Sequence, residues 1–254
     1  MPSQNKIIIL RHESGREKEI RADFVKLLKQ TPIPDNEILQ NIGLYANRKV
    51  LSRILYLHDL YRQIINVHGV VLDFGTRWGQ NLALFESFRG MYEPYNYTRQ
   101  MIGFDTFTGH ASIDPKDGSL VAKEGSWGCA VTAGYESYLE KVLQYHEGES
   151  PINHLKKFKL IKGNVVKTVP DYFKKHPETI VALAYFDFGL YRPTKVCLET
   201  ILPHLAKGSV VAFDELGKEE YPGETLAVKE VLNLKQYQLQ RSAINSYQSY
   251  IVIS

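Results

Sequence analysis

The chain has 254 residues, 44% of them apolar and 23% charged, which argues against a disordered or fibrous protein. Two cysteines, Cys129 and Cys197, are too few for a disulfide framework and lie in no CxxC pair, which indicates a reducing cytosol and no structural zinc. No apolar run approaches the roughly 20 residues of a membrane span, the first ten residues are too weakly apolar for a secretory signal, and a net charge of +3 does not call for nucleic acid. We therefore expect a cytoplasmic, globular enzyme with no membrane and no nucleic-acid partner.

The first part of the chain is predicted to be a helical extension. Residues 1–34 form a charged lead-in that ends at the breaker Thr31–Pro34, and apolar residues then recur at helical spacing from Asp35 to Asn66. We place the domain boundary here, with an N-terminal helical cover over 1–66 and a ligand-binding domain over 67–254. The cover is expected to lie over a substrate or to make a subunit contact.

From His68 onwards, short apolar strands alternate with helical stretches. Five strands are predicted at 70–74, 101–105, 158–163, 181–187 and 209–215, with helices near 80–89, 134–146, 165–175, 192–206 and 223–234. Apolar strands joined by helices indicate a parallel sheet covered on both faces. Two last strands, 237–243 and 249–254, are separated by only Ile244–Tyr247, which is too short for a parallel crossover, so they should pair antiparallel.

Five parallel strands followed by an antiparallel hairpin form the α/β plan of class I methyltransferases, a Rossmann-like, doubly wound, seven-stranded sheet. A plain dinucleotide-binding domain usually lacks that hairpin. The pattern therefore favours a methyl donor over NAD.

The loop after the first strand reads Asp73-Phe-Gly75-Thr-Arg-Trp-Gly79. Ligands of doubly wound sheets bind beyond the carboxyl ends of the strands, where glycine permits close approach. The spacing D-x-G-x-x-x-G lacks the middle glycine that a dinucleotide pyrophosphate requires. S-adenosylmethionine has no phosphate, and a carboxylate such as Asp73 attracts its ammonium and sulfonium groups. The alternative is a tight strand-to-helix turn that binds nothing.

Polar residues also end the second and third strands. Asp105 is placed to accept two hydrogen bonds from ribose hydroxyls, which suits NAD and S-adenosylmethionine alike, although it could merely cap a turn. Asn164, after Gly163, could read an adenine edge or cap the next helix.

Three carboxylates follow the fourth and fifth strands: Asp187, then Asp214 and Glu215. Neighbouring parallel strands would bring them to one edge of the sheet, where like charges are costly unless a cation or protons relieve them. An oxygen-only set suits Mg²⁺, which could hold a substrate hydroxyl and lower its pKa. Alternatively, Asp187 positions the cofactor amine and the other two cap helices.

Several segments together resemble the macrocin O-methyltransferase family: VVLDFGTRWGQNL, RGMYEPYN, IGFDTFTGH, GNVVKTVP, YFDFGLYRPTKVCLETILPHLAKG and VVAFDELG. Members of that family use S-adenosylmethionine to methylate sugars of antibiotics and related glycosides, and relatives form homo-oligomers. The resemblance covers roughly Pro34 to Ser254. It implies a small-molecule sugar or glycoside acceptor and a homo-oligomer.

The resemblance also implies roles for individual residues. Asp105 matches the family's ribose-binding acid, and Asp187, Asp214 and Glu215 match its divalent-metal carboxylates. Trp127, in the long insertion 114–134, either shields the cofactor or anchors the loop. Together with the strand ends, this assigns the cofactor site to Asp73, Phe74, Gly75, Thr76, Gly79, Asn81, Phe104, Asp105, Thr106, Trp127, Gly163, Asn164, Val165 and Asp187.

One position departs from the family pattern. The family usually reads D-x-D at the fourth strand, where this chain has Asp187-Phe-Gly189, so a proposed general base is replaced by glycine. A sugar hydroxyl is a poor nucleophile until its proton leaves. His110 as the base, metal activation without a protein base, an acceptor other than a sugar hydroxyl, or weak activity would each account for the change. The predicted catalytic residues are Asp187 and His110. Two rival functions stay open, a nicotinamide-dependent oxidoreductase and a non-catalytic cofactor-binding relative.

Overall fold

The computed structural model describes residues 14–119, 121 and 129–254. It divides between Arg53 and Ile54 into two compact units. This division falls inside a helix, ahead of the domain boundary predicted after residue 66. That boundary, which separates a cover from a ligand-binding domain, stays a prediction.

The first unit is helical. It contains helix α1 (Gly15–Lys29), a 3₁₀ turn (Leu39–Tyr45) and the start of α2 (Arg48–Ile64). The described part of the predicted charged lead-in is thus largely a helix. A capping box starts α1: Glu17 N donates to Ser14 Oγ (3.2 Å) and Ser14 N donates to Glu17 Oε2 (2.9 Å). The Ser-x-x-Glu spacing was the signal in the sequence for this helix.

The helical pattern predicted over 35–66, on one or two helices, is broken before Arg48. Asn47 Oδ1 accepts hydrogen bonds from Lys49 N (3.0 Å) and Val50 N (3.1 Å). These bonds satisfy amides that have no partner at a helix start, so α2 begins at Arg48 rather than continuing the preceding 3₁₀ turn.

The second unit contains a seven-stranded sheet in the order β3-β2-β1-β4-β5-β7-β6. The first five strands are parallel, and β7 pairs antiparallel with both β5 and β6. This confirms the predicted methyltransferase sheet with its terminal hairpin. The strands are β1 (Val70–Phe74), β2 (Met101–Asp105), β3 (Phe158–Lys162), β4 (Val181–Phe186), β5 (Leu205–Phe213), β6 (Gln240–Arg241) and β7 (Ser249–Val252).

Helices cover both faces of this sheet, so its central strands β1, β4 and β5 are predominantly apolar. One core cluster contains residues of α5 (Val165–Lys175), α6 (Tyr191–Ile201) and α7 (Pro222–Val231), on one face. The other contains residues of the second half of α2, α3 (Gln80–Tyr92) and α4 (Tyr135–Glu149), on the opposite face. No helix among the described residues is long and apolar enough to cross a membrane.

The helix predicted over 192–206 is too long. It ends at Ile201, and Pro203 lies in the 3₁₀ turn that follows, because proline has no amide hydrogen to continue the helical ladder. Strand β5 consequently begins at Leu205 instead of Ser209.

A buried arginine ties the start of the sheet together. Arg99, 2% exposed, donates from its guanidinium to Gly69 O (2.6 Å), Ile64 O (2.9 Å) and the Glu93 carboxylate (3.0 Å). These bonds fix the end of α2 and the chain just before β1 to the segment that leads into β2. The opposite ends of β1 and β2 carry the predicted ligand-binding residues.

A buried carboxyl on α3 gives the fold a pH dependence. Glu86 is 1% exposed, and neither of its oxygens has a hydrogen-bond partner among the described residues. Burial raises its pKa from 4.5 to about 8, against the attraction of Arg89. The folded protein therefore holds a proton that the unfolded chain releases above pH 4.5.

We expect the Glu86→Gln variant to remove this dependence. The stabilisation from the Glu86 proton is complete below the unfolded pKa of 4.5 and is lost as pH rises through about 8. Between these values, urea denaturation should show the variant gaining about 1.4 kcal/mol per pH unit over the native protein. Exposed Glu219→Gln is the control, with no pH-dependent difference. Parallel curves for native protein and Glu86→Gln would contradict the assignment.

Candidate functional site: a cleft at the carboxyl ends of the strands

The loop between β1 and α3 lies directly against the end of β4. A Cβ on Gly75 would stand 2.2 Å from the Asp187 carbonyl oxygen, and Gly75 has φ of +87°. Asp187 N donates to Phe74 O at 2.9 Å. A side chain at position 75 would therefore force the loop and the strand end apart. The glycine predicted to permit close approach does so towards the protein's own backbone.

Buried polar residues hold this loop in shape. Asp73 is fully buried, and its Oδ1 accepts a hydrogen bond from Asn81 Nδ2 at 3.2 Å. Thr76 Oγ1 donates to Asp73 O at 3.0 Å. Gly79, with φ of +77°, precedes α3, where a Cβ would collide with Leu139 at 2.2 Å. These predicted cofactor residues thus shape the loop.

Asp105, at the end of β2, is joined to the same loop. Its Oδ2 accepts from Arg77 N (2.8 Å) and its Oδ1 from Phe107 N (2.6 Å). Burial nevertheless raises the pKa of Asp105, although these two amides and the charges of Arg77 and His110 oppose the rise. Arg77 and Phe107 both have positive φ, +48° and +59°. Strained backbone on either side of one carboxylate is typical of a ligand site.

At the third strand, Asn164 acts as a helix cap. Its Oδ1 accepts from Val166 N at 3.0 Å, at the start of α5. Gly163 N donates to Asp105 O at 2.8 Å. Two roles were open for Asn164 from the sequence, and the structure shows the capping role. Asn164 also lines the cleft at these strand ends, and contact with an adenine stays a prediction.

These strand ends surround an open cleft of about 690 Å³. Of the predicted cofactor residues, Gly75, Asp105, Thr106, Asn164, Val165 and Asp187 line it. Phe74 and Phe104 instead lie in the core beneath, with ring centroids 5.4 Å apart. Trp127 lies outside the described residues.

His110 also lines the cleft. Burial raises the pKa of Asp105, at the end of β2, and of Asp117, and the charge of His110 opposes both rises. Asp117 Oδ1 accepts a hydrogen bond from Tyr191 N at the start of α6. The imidazole is therefore near both the second strand and the segment after the fourth.

The ends of β4 and β5 carry the predicted carboxylate group, which protein donors already bind. Asp214 Oδ1 accepts from Tyr185 Oη and from Gln248 Nε2, both at 2.6 Å. Glu215 Oε1 accepts from Lys218 Nζ at 2.8 Å. The other oxygen, Glu215 Oε2, lies 2.7 Å from where a Cβ on Gly189 would be.

A fourth acid, Glu224, lies beneath this group. It is fully buried, and its Oε1 accepts from Glu215 N at 3.1 Å. Burial raises its pKa well above the ordinary value, and the negative charges of Glu215, Asp214 and Asp187 raise it further. Burial and the neighbouring negative charges thus both favour the protonated form of Glu224.

The predicted magnesium site does not fit this arrangement. Mg²⁺ binds through carboxylate oxygens in octahedral geometry. Here the protein's own donors engage Asp214 and Glu215. Within 14–119, 121 and 129–254, no three or more His, Cys, Asp or Glu are grouped so as to hold a metal ion. We derive no step through a metal.

Sequence analysis missed four contributors to the site. Arg77 and Glu224 are ordinary loop and helix residues in the sequence, so nothing there marks their burial or charge environment. Gln248 reaches Asp214 only through the antiparallel return of β7. Lys218, three residues after Glu215, had a detectable signal in that spacing.

Comparisons with known proteins support a common ancestry with one group of enzymes. The chain is 41% identical to the calicheamicin methyltransferase CalS11, over 95% of this chain and 94% of that one, with a TM-score of 0.91. An apo structure of CalS11, described as a TDP-rhamnose 3'-O-methyltransferase of calicheamicin biosynthesis, matches at 39% identity over 96% of both chains, with a TM-score of 0.84.

Other comparisons add less. The O-methyltransferase NovP matches at 16% identity over 80% of both chains with a TM-score of 0.60, which shows a shared fold alone. No protein-family model and no curated protein sequence matches the chain. The predicted resemblance extended to the calicheamicin-pathway sugar methyltransferase within the macrocin O-methyltransferase family, and the CalS11 matches confirm it. At this identity and coverage, the chain belongs to the same methyltransferase family as CalS11.

Proposed function

We propose that this methyltransferase transfers a methyl group from S-adenosylmethionine to a hydroxyl of a sugar or glycosylated small molecule. The observation that carries the proposal is the near full-length similarity to CalS11, an enzyme described as acting on TDP-rhamnose. A cleft at the carboxyl ends of the strands, with a carboxylate on β2, supports it.

The residues of the cleft fit this cofactor. S-adenosylmethionine supplies an electrophilic methyl group on a positively charged sulfur. Asp105 would accept hydrogen bonds from the two ribose hydroxyls through the lone pairs that its two amide contacts leave. Gly75 leaves the cleft floor without a side chain, and Asp187 provides negative charge at the cofactor's amino end. The absence of a middle glycine in the loop disfavours NAD.

We assign the acceptor proton to His110. An imidazole suits this task because an effective general base titrates near the working pH. The hydroxyl oxygen forms the new bond to the methyl carbon as the bond from carbon to sulfur breaks, and its proton passes to the imidazole. His110 lines the cleft and lies near Asp105, which also lines it, and near Asp117. Asp187, which also lines the cleft, is the alternative base.

A homo-oligomer is also proposed. In the first unit, large apolar side chains are exposed, including Ile20 (58%), Leu27 (61%), Leu39 (67%) and Leu44 (64%). The exposure of these large apolar side chains supports a subunit contact. Sedimentation at several protein concentrations would test it.

The cofactor assignment is tested by calorimetric titration with S-adenosylhomocysteine. We expect saturable binding that weakens by at least about tenfold in Asp105→Asn, because a charged acceptor of two hydroxyl hydrogen bonds is lost. The exposed Asp171→Asn on α5 is the matched control and should bind as the native protein does. NADH should not displace the ligand. Displacement by NADH, or equal affinity of the Asp105 variant, would contradict the assignment.

The base assignment is tested by the pH dependence of methyl transfer, with TDP-rhamnose as the acceptor probe. An imidazole base makes the rate rise across the neutral range as it loses its proton, whereas a carboxylate base keeps the rate flat there. We expect His110→Gln to lower kcat by about 10²–10⁴-fold and to remove the neutral rise. Affinity for S-adenosylhomocysteine should stay unchanged. His176→Gln, at a half-exposed site on the far end of α5, is the control. Unchanged turnover in His110→Gln would contradict this assignment and indicate Asp187 as the base.

A further inference from the structure

The acidic group at the ends of β4 and β5 needs positive charge. Asp187, Asp214 and Glu215 all act electrostatically on Glu224, which is fully buried beside them. Carboxylates this close repel one another unless protons or a cation compensate. Beside Glu215 the structure places one such cation, the ammonium of Lys218.

Lys218 supplies a formal positive charge at this place. Its Nζ lies 2.8 Å from Glu215 Oε1, and the two side chains are only 16% and 23% exposed. The ammonium also lies over the ring of Tyr221, 4.5 Å from its centroid, and 5.8 Å from that of Tyr247. Two aromatic faces and a carboxylate thus hold the ammonium in one place.

The arrangement differs from an exposed surface pair. Exposed ion pairs are screened by water and contribute little, whereas this one is largely covered. Glu215 Oε2 at the same time fills the space where a side chain at position 189 would lie. The carboxylate is therefore held by its ammonium partner on one oxygen and by close packing near Gly189 at the other.

Lys218 and Glu215 also line a second pocket. Glu215 Oε2 lies next to Gly189, whose neighbours Phe188 and Leu190 line the first cleft.

Asp214 and Gln248, with the turn before β7, complete the polar wall of the second pocket. Such a wall carries several hydrogen-bond donors and acceptors, which suits a sugar ring with several hydroxyls. The exposed aromatic ring of Tyr247 can pack against the face of that sugar ring. An ammonium has three donors, so Lys218 can bind Glu215 and an acceptor oxygen together.

We propose that Lys218 is the resident cation of the acceptor pocket, in the place that a divalent metal would otherwise take, and that methyl transfer by this chain is independent of metal. The proposal rests on the proposed sugar methylation. Lys218 orients Glu215, offsets the carboxylate charge and donates a hydrogen bond to an acceptor oxygen. It is a binding and positioning residue, and the proton transfer assigned to His110 is unaffected by it.

The first test measures cation binding directly, by the electron paramagnetic resonance signal of Mn²⁺ with protein saturated in S-adenosylhomocysteine. The native protein should show no saturable Mn²⁺ binding. Lys218→Met should create one Mn²⁺ site per chain, because removal of the ammonium leaves carboxylates that attract a cation. This variant should bind Mn²⁺ at least about tenfold more tightly than the native protein does. Adding Asp214→Asn to Lys218→Met should abolish that site. Exposed Lys229→Met on α7 is the matched control.

Two results of this experiment would overturn the proposal. One is stoichiometric Mn²⁺ binding by the native protein that Asp214→Asn weakens. The other is a Lys218→Met variant that folds, by its circular dichroism spectrum, and gains no Mn²⁺ site. Lys218→Arg should resemble the native protein here, since it retains the charge.

The second test follows initial rates with TDP-rhamnose. For the native protein, the rate in EDTA should stay within about twofold of the rate without EDTA. For Lys218→Met, the rate should fall at least about tenfold below the native rate and rise in part when Mg²⁺ is added. A native rate that is lost in EDTA and restored by Mg²⁺ would contradict the proposal. Failure of the proposed function is distinguishable, because it would appear as absent S-adenosylhomocysteine binding or absent transfer with either metal or chelator. The Mn²⁺ signal decides the role of Lys218 in that case too.

Discussion

The contact between Gly75 and the Asp187 carbonyl is the constraint on which the rest of the site depends. With only 2.2 Å between the carbonyl oxygen and a hypothetical Cβ, no other residue at position 75 keeps β1 and β4 paired to their ends. The order of the sheet reverses at this pair of strands, which is where a doubly wound sheet opens a crevice. Arg77 N donates a hydrogen bond to Asp105, and this bond couples the position of the Asp105 side chain to that of the loop. A displacement of one glycine would thus move the predicted ribose acid as well.

The same edge of the sheet concentrates negative charge, and each strand end compensates it differently. Asp105 relies on two backbone amides, which are fixed dipoles that cannot leave. Asp214 relies on a tyrosine hydroxyl and an amide side chain. Glu215 has a full ammonium charge, from Lys218.

Much of this follows from the sequence because parallel strands share one edge for their carboxyl ends. That rule alone brings Asp73, Asp105, Asp187 and Asp214 together, whatever the details of packing. The partners of those residues do not follow from it. Gln248 reaches the site through a long-range antiparallel pairing, and the burial of Arg77 depends on the whole loop. Long-range packing decides such contacts, and local patterns carry little information about them.

Gly189 shows how a departure from a family pattern is compensated within the site. Its φ of +63° lies in the left-handed region that glycine favours, and the Glu215 carboxylate occupies the adjacent space. An aspartate at that position would bring a second carboxylate against Glu215 and would strain the backbone. Glycine at 189, the inward Glu215 and its partner Lys218 therefore form one coupled arrangement. An aspartate restored at position 189 would therefore require Glu215 to move away from Lys218.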